Sequence, residues 1–299
     1  MVSLSTHVRI AHLKVRSHVR PRVAIERDDA LYDVEALERE LGAAFDVPGD
    51  AWDFHLRVVA LGCAGLFELD AMLGAGRRPA SARLLPEDIA PLAPCDATRA
   101  AFVHADVREL ATRGRLAVRV GAARELLGQD ALVGMPRGET RPDFEIGVAA
   151  LIGEELDGAT RKEARNAIVG YAVLDDWSAR DAERDATPIL ASAKSLRAQI
   201  GPCLVAARAL PQLDRLAAWI EVEGRRLELG TLADLGIPID EAVARVSSEL
   251  PLVPGDVVGV GPLPRGSGAA LGLELGMHRP VAVAIERLGT LRGTAVPRR

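Results

Sequence analysis

In the segment VLDDWSARDAERDATPILASAKS, Val173 to Ser195, an apolar run ends in two adjacent aspartates, and a dense set of charges then continues to Lys194. The run begins with IVGYAV and is almost entirely apolar, which is typical of a strand that is buried on both faces. Asp175 and Asp176 stand at its end, where neighbouring side chains point to opposite faces of a sheet. Only one of the two can therefore share a site with residues of an adjacent strand.

A second segment, RPDFEIGVAALIG, contains Asp143 and Glu145 two residues apart. On a strand this spacing sends both carboxylates out of the same face, while Phe144 and Ile146 point into a core. Two like charges this close are unfavourable unless a cation or a shared proton offsets them. Taken alone, the pair fits a solvated strand face equally well.

A third carboxylate from the end of the apolar run completes a set of oxygen ligands. Such a set suits a hard cation, Mg²⁺, Mn²⁺ or Ca²⁺, and does not suit zinc. Lys194 adds a positive charge that can face a developing enolate or carbanion. Taken singly, Lys194 is better explained as a surface lysine in an ion pair.

The composition limits the setting of this site. The chain has 299 residues, 48% of them hydrophobic, and a formal net charge of −5 without a basic stripe. These features argue against nucleic-acid or membrane partners and favour a small neutral or anionic ligand. The longest apolar run, Val58 to Phe67, is about half of the roughly 20 residues that a membrane-spanning helix needs. Cys63, Cys95 and Cys203 are widely spaced, so we expect neither disulfides nor a zinc site. We also expect a cytoplasmic protein without a signal peptide.

The chain is predicted to be α+β and mostly β. VRIAHLKV and RPRVAIE are predicted strands, DVEALERELGAAF is a predicted helix, and together they indicate a small N-terminal α+β domain over residues 1–80. A proline-containing linker over 81–95 leads to a strand-rich domain over 96–299. Within that domain, Thr160 and Glu163 have the spacing of a helix capping box.

Several segments, taken in order, resemble the fumarylacetoacetate hydrolase superfamily: RPDFEIGVAALIG, IVGYAVLDDWSARD, SAKS, IGPCLV, LVPGDVVGVGPL and IERLGTLRG. The likeness covers about Asp96 to Gly293, and DDWSARD is its most specific part. The resemblance implies a mixed β-sandwich roll with a smaller N-terminal domain, paired into a homodimer. Members hydrolyse C–C bonds in β-diketo acids, decarboxylate oxaloacetate, or isomerise and hydrate related keto acids.

Carried over to this chain, the resemblance assigns Asp143, Glu145 and Asp176 as ligands of a divalent metal. Asp175 takes the position of an asparagine outside the ligand set, and Lys194 takes the position of the family lysine. Two further residues, Arg197 and Glu183, are predicted to bind substrate. Arg180 and Asp181 are expected to form a structural ion pair.

The sequence also departs from the family pattern. The first metal position is usually glutamate, and Asp143 is one methylene shorter. Arg197 and Ala198 replace a common Gly-Thr pair. Val260-Gly261-Pro262 replaces Thr-Gly-Thr, which removes a hydroxyl that would face the substrate.

The general base is open to more than one assignment. Family hydrolases carry a histidine near the start of the main domain, often with glutamate three residues later. Here the only histidine in that region is His104, whereas the spaced pattern falls on Asp106 and Glu109. An alternative alignment pairs Asp96, on the metal side, with His104 as base. We favour His104, because imidazole titrates near pH 7, and keep Glu109 as its candidate partner.

The sequence therefore predicts a metal-dependent hydrolase that cleaves a C–C bond in a small 1,3-dicarbonyl or 2-keto acid, such as an acylpyruvate. One alternative is a non-hydrolytic decarboxylase, isomerase or dehydratase in a biosynthetic pathway. The other is a catalytically silent binding protein with the same fold.

Overall fold

The computed structural model describes residues 8–42, 65–95, 102–121, 126–185 and 198–298. Its strands, numbered in chain order, are β1 Arg9–Val15, β2 Arg22–Arg27, β3 Ala30–Asp33, β4 Arg83–Leu84, β5 Ile89–Pro91, β6 Phe102–Asp106, β7 Ala117–Gly121, β8 Ala131–Met135, β9 Pro142–Asp143, β10 Ile146–Ile152, β11 Ile168–Asp176, β12 Ser178–Ala179, β13 Ala198–Ala206, β14 Ala217–Val222, β15 Arg225–Thr231, β16 Val257–Gly261, β17 Pro280–Ile285 and β18 Gly289–Pro297.

The helices are short. They are α1 Val34–Leu41, α2 over 65–74, α3 Arg108–Arg113, α4 Arg161–Ala167, α5 Arg180–Asp185, α6 Ile239–Glu249 and α7 Gly268–Leu271. Across the described ranges, no helix combines the length and the apolar character that crossing a bilayer requires. The predicted capping box is confirmed, because Thr160 and Glu163 bond reciprocally at the start of α4.

Two large sheets dominate the described part of the chain, which confirms the mostly β fold. One sheet has the order β4-β3-β2-β1-β13-β11-β10-β16-β6-β7, with β5 also paired to β1, and the other has the order β15-β14-β17-β18-β8. A separate pair joins β9 to β12. Neighbouring strands are antiparallel except for β16 with β6 and β18 with β8, which are parallel.

The apolar run of the opening segment is the buried centre of the larger sheet. All nine residues of β11 and all seven of β10 are buried, as expected for strands that are covered on both faces. Trp177, directly after β11, is fully buried, and its indole nitrogen donates to Gln199 Oε1 at 3.0 Å. This packing fixes the position at which β11 ends.

The N-terminal strands extend the same sheet. β1 pairs with β13, with Arg9 opposite Val205 and Ile10 opposite Leu204, so the N-terminal and C-terminal parts of the chain share one hydrogen-bonded layer. The short strands β4 and β5 lie in the segment predicted as a linker and pair with β3 and β1. The division into 1–80, 81–95 and 96–299 remains a prediction.

We propose that the protein is a homodimer, because both described sheets end in strands with exposed apolar side chains. Val120 on β7 is 59% exposed and Leu132 on β8 is 69% exposed, and open edge strands invite pairing with another chain. Light scattering at micromolar concentration should give twice the chain mass. A single species of 31.8 kDa would contradict the proposal.

Candidate active site

The sheet brings the three predicted carboxylates to one end of its central strands. Asp143 closes β9, Glu145 immediately precedes β10, and Asp176 closes β11. The backbone N–H of Asp176 donates to the carbonyl of Glu145 at 2.9 Å, which holds the two strand ends side by side. All three residues are buried, and Phe144 between the first two points into the core, as predicted.

The carboxylate of Asp143 is held by protein donors on both oxygens. Its Oδ1 accepts from the N–H of Gly268 at 2.7 Å, and its Oδ2 accepts from the N–H of Ala269 at 3.1 Å. Arg180 donates to the same Oδ2 from Nε at 2.9 Å and from Nη2 at 2.6 Å. Asp143 therefore joins α7 and α5 to the start of the central sheet.

Glu145 lies between two guanidinium groups. Its Oε1 accepts from Arg108 Nη1 and from Arg180 Nη2, both at 2.8 Å. Burial by itself would lower the pKa of Arg180, but the charges of Glu145 and Asp143 outweigh this effect and raise it above its ordinary value. Arg180 is therefore a permanent cation shared by two buried carboxylates.

Asp176 meets the predicted base. His104 Nδ1 lies 2.8 Å from Asp176 Oδ2, and both side chains are buried. Arg119, opposite His104 on the neighbouring strand β7, donates to Asp176 Oδ2 at 2.9 Å, and its Nη2 lies 2.6 Å from His104 Nδ1. The three groups form a compact triangle of one acid, one imidazole and one guanidinium.

Asp175 faces away from these groups, as the alternation of the strand predicts. Its Oδ1 accepts from the backbone N–H of Glu145 at 2.9 Å. Complete burial raises the pKa of Asp175 well above its ordinary value, and the charges of Asp176 and Asp143 raise it further. The protonated form that this favours is uncharged, like the asparagine of the family pattern.

The cluster has an excess of negative charge. Among the described residues, its ion pairs join five carboxylates to three guanidinium groups. The carboxylates are those of Asp106, Asp143, Glu145, Asp176 and Glu183, and the guanidinium groups are those of Arg108, Arg119 and Arg180. Burial would raise the pKa of Asp106, but its hydrogen bonds from Arg108 outweigh this and lower it, so this acid is ionised. An excess of two negative charges in a mostly buried cluster favours a divalent cation.

The carboxylate oxygens of the cluster suit such a cation in chemical type and in charge, although guanidinium groups already contact them. Within the described ranges, no three His, Cys, Asp or Glu side chains are gathered closely enough to hold a metal ion as they stand. A cation at Glu145 or Asp176 must therefore displace or share a contact with Arg108, Arg180 or Arg119.

Of the other predicted site residues, one borders the cluster, one lies apart from it, and the rest lie outside the described residues. Glu183 accepts from Arg180 Nη1 at 3.0 Å and so borders the cluster. Glu109 on α3 instead pairs with Arg113 at 3.2 Å on a more exposed surface. Lys194 and Arg197, like the alternative ligand Asp96, lie outside the described residues. The roles assigned to these residues remain predictions.

The expected ion pair between Arg180 and Asp181 is wrong. Arg180 turns to Asp143, Glu145 and Glu183, whereas Asp181 accepts from Arg141 Nε at 2.8 Å. The two side chains diverge because they lie at the first and second positions of α5, where consecutive residues do not face each other.

Sequence reasoning missed Arg108 and Arg119. The only signal for Arg119 is its place in the alternating run AVRVG of β7, whose pairing with β6 cannot be deduced from either strand alone. Arg108 follows Asp106 by two residues, and no pattern distinguishes it from an exposed arginine.

A cavity of about 1290 Å³ lies away from this cluster, at the opposite end of β11. Tyr171, Arg165 and Asp240 are among its lining residues, and none of the carboxylates predicted to bind metal lines it. The ionisable cluster, rather than this cavity, is the candidate active site, because it gathers the predicted carboxylates and the predicted base.

Comparison with known proteins agrees with the resemblance found in the sequence. A family described as fumarylacetoacetate (FAA) hydrolase C-terminal matches residues 95–296. A protein of Burkholderia cenocepacia whose name proposes a hydrolase is 28% identical over 171 residues, which are 55% of this chain and 60% of that protein. The match thus spans less than two thirds of that relative.

Solved structures share the fold along nearly the whole chain. Maleylpyruvate hydrolase from Sphingobium sp. SYK-6, in complex with manganese(II) and pyruvate, has a TM-score of 0.72 at 19% identity, covering 97% of this chain and 100% of that one. 2-Hydroxyhepta-2,4-diene-1,7-dioate isomerase from Mycobacterium marinum has a TM-score of 0.68 at 18% identity, covering 97% and 98%. At these identities the likeness establishes the fold.

Replacing Arg180 by glutamine should destabilise the protein in EDTA. Asp143 and Glu145 would remain buried without the shared cation, and removing one partner of a buried ion pair costs about 3–5 kcal/mol of unfolding free energy. Urea denaturation measures this change. The control is Arg184→Gln, because Arg184 is exposed and lies 3.8 Å from Asp181. Equal stabilities of the two variants would contradict the assignment of Arg180 as the cation of the cluster.

Proposed function

We propose, because the chain belongs to the fumarylacetoacetate hydrolase family, that it is an enzyme that hydrolyses a C–C bond in a small 1,3-dicarbonyl compound or 2-keto acid. The observation that carries the proposal is the buried contact of His104 with Asp176, beside Glu145. This contact supports the proposal, because a candidate base beside candidate metal ligands is what hydrolysis requires. The maleylpyruvate hydrolase of similar fold, solved with manganese and pyruvate, supports a substrate of the acylpyruvate type.

Glu145 and Asp176 would hold a divalent cation in this proposal, with Asp143 the third carboxylate of the predicted set. Mg²⁺, Mn²⁺ and Ca²⁺ are the candidates, because the donors are carboxylate oxygens. When bound, the cation supplies Lewis-acid polarisation of the substrate oxygens and stabilises developing negative charge.

The remaining steps belong to side chains of the chain. In hydrolysis, His104 donates its Nδ1 proton in a hydrogen bond to Asp176 and accepts a proton from water at Nε2. The attack of this water on a carbonyl carbon breaks the adjacent C–C bond and leaves an enolate. Lys194 is proposed to stabilise the enolate, and Arg197 and Glu183 are proposed to contact the substrate. Glu109 would have to leave its ion pair with Arg113 before it could act as the partner of His104.

A second candidate is a non-hydrolytic reaction, such as isomerisation or decarboxylation, and the contact of Arg119 with His104 favours it. A guanidinium group can only donate, so Nδ1 accepts from Arg119 Nη2 at 2.6 Å only when the ring proton is on Nε2. In that tautomer Nε2 already carries a proton, so His104 cannot accept one from water, and catalysis falls to the cation and Lys194. The contacts with Asp176 and Arg119 thus require opposite tautomers, and each tautomer corresponds to one reaction.

We also propose a reducing cytoplasm as the location. Cys203 is a buried free thiol, and the wide spacing of the three cysteines in the sequence predicts no disulfides, which is compatible with a compartment where disulfides rarely form.

Substitution of His104 and Lys194 should separate the two reactions. If hydrolysis is correct, His104→Ala should lower turnover of an acylpyruvate by roughly 10²- to 10⁴-fold, the usual contribution of a positioned general base. Binding of unreactive oxalate should change little. Steady-state rates with saturating Mg²⁺ measure the first quantity and calorimetry the second, with His18→Ala as a surface control.

The opposite pattern identifies the second candidate. A mild effect of His104→Ala on oxaloacetate or enol substrates, together with a severe effect of Lys194→Ala, would contradict hydrolysis. Wild-type protein that binds oxalate but turns over none of these substrates would favour the silent binding protein.

A further inference from the structure

Asp143 carries one of the three predicted ligand carboxylates, and protein donors already occupy most of its acceptor positions. The two oxygens of a carboxylate offer about four acceptor positions. The N–H groups of Gly268 and Ala269 and the Nε and Nη2 atoms of Arg180 donate four hydrogen bonds to them. The side chain is only 6% exposed. Three of these bonds go to Oδ2 and one to Oδ1, so a metal ion could bind Oδ2 only by breaking bonds and would have to share Oδ1 with the amide of Gly268.

The donors come from two segments that are distant from Asp143 and from each other in sequence. Gly268 and Ala269 open α7, Arg180 opens α5, and Ser178 on β12 pairs directly with Asp143 on β9. Further backbone bonds hold the same segments together, because Ile146 N donates to Gly266 O at 2.8 Å and Leu263 N donates to Ile146 O at 3.0 Å. Asp143 is the charged group at which these segments meet.

The close approach requires a small residue at position 268 and a short acid at position 143. A Cβ atom on Gly268 would lie 2.5 Å from Asp143 Oδ1, which is too close for two non-bonded atoms. Glutamate, the residue expected at position 143 from the family pattern, would place its carboxylate one methylene farther along and could not keep the same bonds to both amides. The shorter acid thus has a structural reason that is independent of metal binding.

We infer that Asp143 is a positioning residue that ties Arg180 and the start of α7 to the central sheet, and that the divalent cation is held by Glu145 and Asp176 without it. A site with two carboxylates is chemically reasonable, since Mg²⁺ usually retains several waters and binds one or two carboxylates. The existence of the cation rests on the proposed function, whereas the contacts of Asp143 do not.

Asp143→Asn tests the inference in metal-free protein. A metal ligand in a cluster of like charges should give equal or higher stability when it is neutralised, because its repulsion of Glu145 is removed. A positioning residue should instead give a lower melting temperature, by about 3 °C or more, because charged hydrogen bonds are lost. Melting is followed by circular dichroism in EDTA. The matched control is Glu183→Gln, which loses one bond from Arg180 and should show a smaller decrease. An unchanged or higher melting temperature for Asp143→Asn overturns the inference.

Mn²⁺ titration supplies the second measurement. Asp143→Asn should bind Mn²⁺ within about threefold of wild type, whereas Glu145→Gln should weaken binding at least about tenfold, because affinity follows the number of charged ligands. Equal losses in the two variants overturn the inference. Absence of Mn²⁺ binding in wild type would refute the proposed cation, and melting in EDTA would then decide the role of Asp143 by itself.

Gly268→Ala covers the case in which Asp143→Asn does not fold. The added methyl group displaces the carboxylate from the amide of residue 268 but preserves its charge. The inference predicts a lower melting temperature with Mn²⁺ affinity within about threefold of wild type. Lost affinity at an unchanged melting temperature would count against it.

Discussion

Burial of like charge is the constraint on which the candidate active site depends. Asp143, Glu145 and Asp176 lie at the ends of buried strands, where an uncompensated carboxylate would cost several kcal/mol. Among the described residues, the guanidinium groups of Arg108, Arg119 and Arg180 offset part of this charge. The local fold and the proposed cation site therefore depend on the same electrostatic balance.

This constraint also explains how distant segments reach the site. The interior strands β10 and β11 fix the carboxylates, whereas the charged contacts recruit α3, α5 and α7 from elsewhere in the chain. Each of the three arginines contacts more than one acid, or an acid and the predicted base, so a cation that displaces one of them would alter several contacts together. Cation binding and the tautomer of His104 are coupled in this account through Arg119 and Asp176.

Much of the fold and part of the site follow from local patterns. The spacing of Asp143 and Glu145 and the apolar run before Asp176 predict acids at the ends of buried strands, where the structure has them, because strand alternation is a local property. Their role as metal ligands remains a prediction. The contact of Arg119 with His104 and that of Gly268 with Asp143 depend on strand pairing and on the close approach of segments far apart in sequence. Such contacts leave no periodic signal, which is why sequence reasoning assigned the carboxylates to a metal and missed the protein donors that hold them.

If the ends of β10 and β11 form a divalent-cation site for an enolate-like ligand, a crystal structure with Mn²⁺ and oxalate, an enolate mimic, should show an anomalous peak bonded to Glu145 and Asp176. Oxalate should complete the coordination, and Arg108 or Arg119 should have moved from its carboxylate. Glu145 and Asp176 still held by the same guanidinium groups, without an anomalous peak at saturating Mn²⁺, would rule out this site.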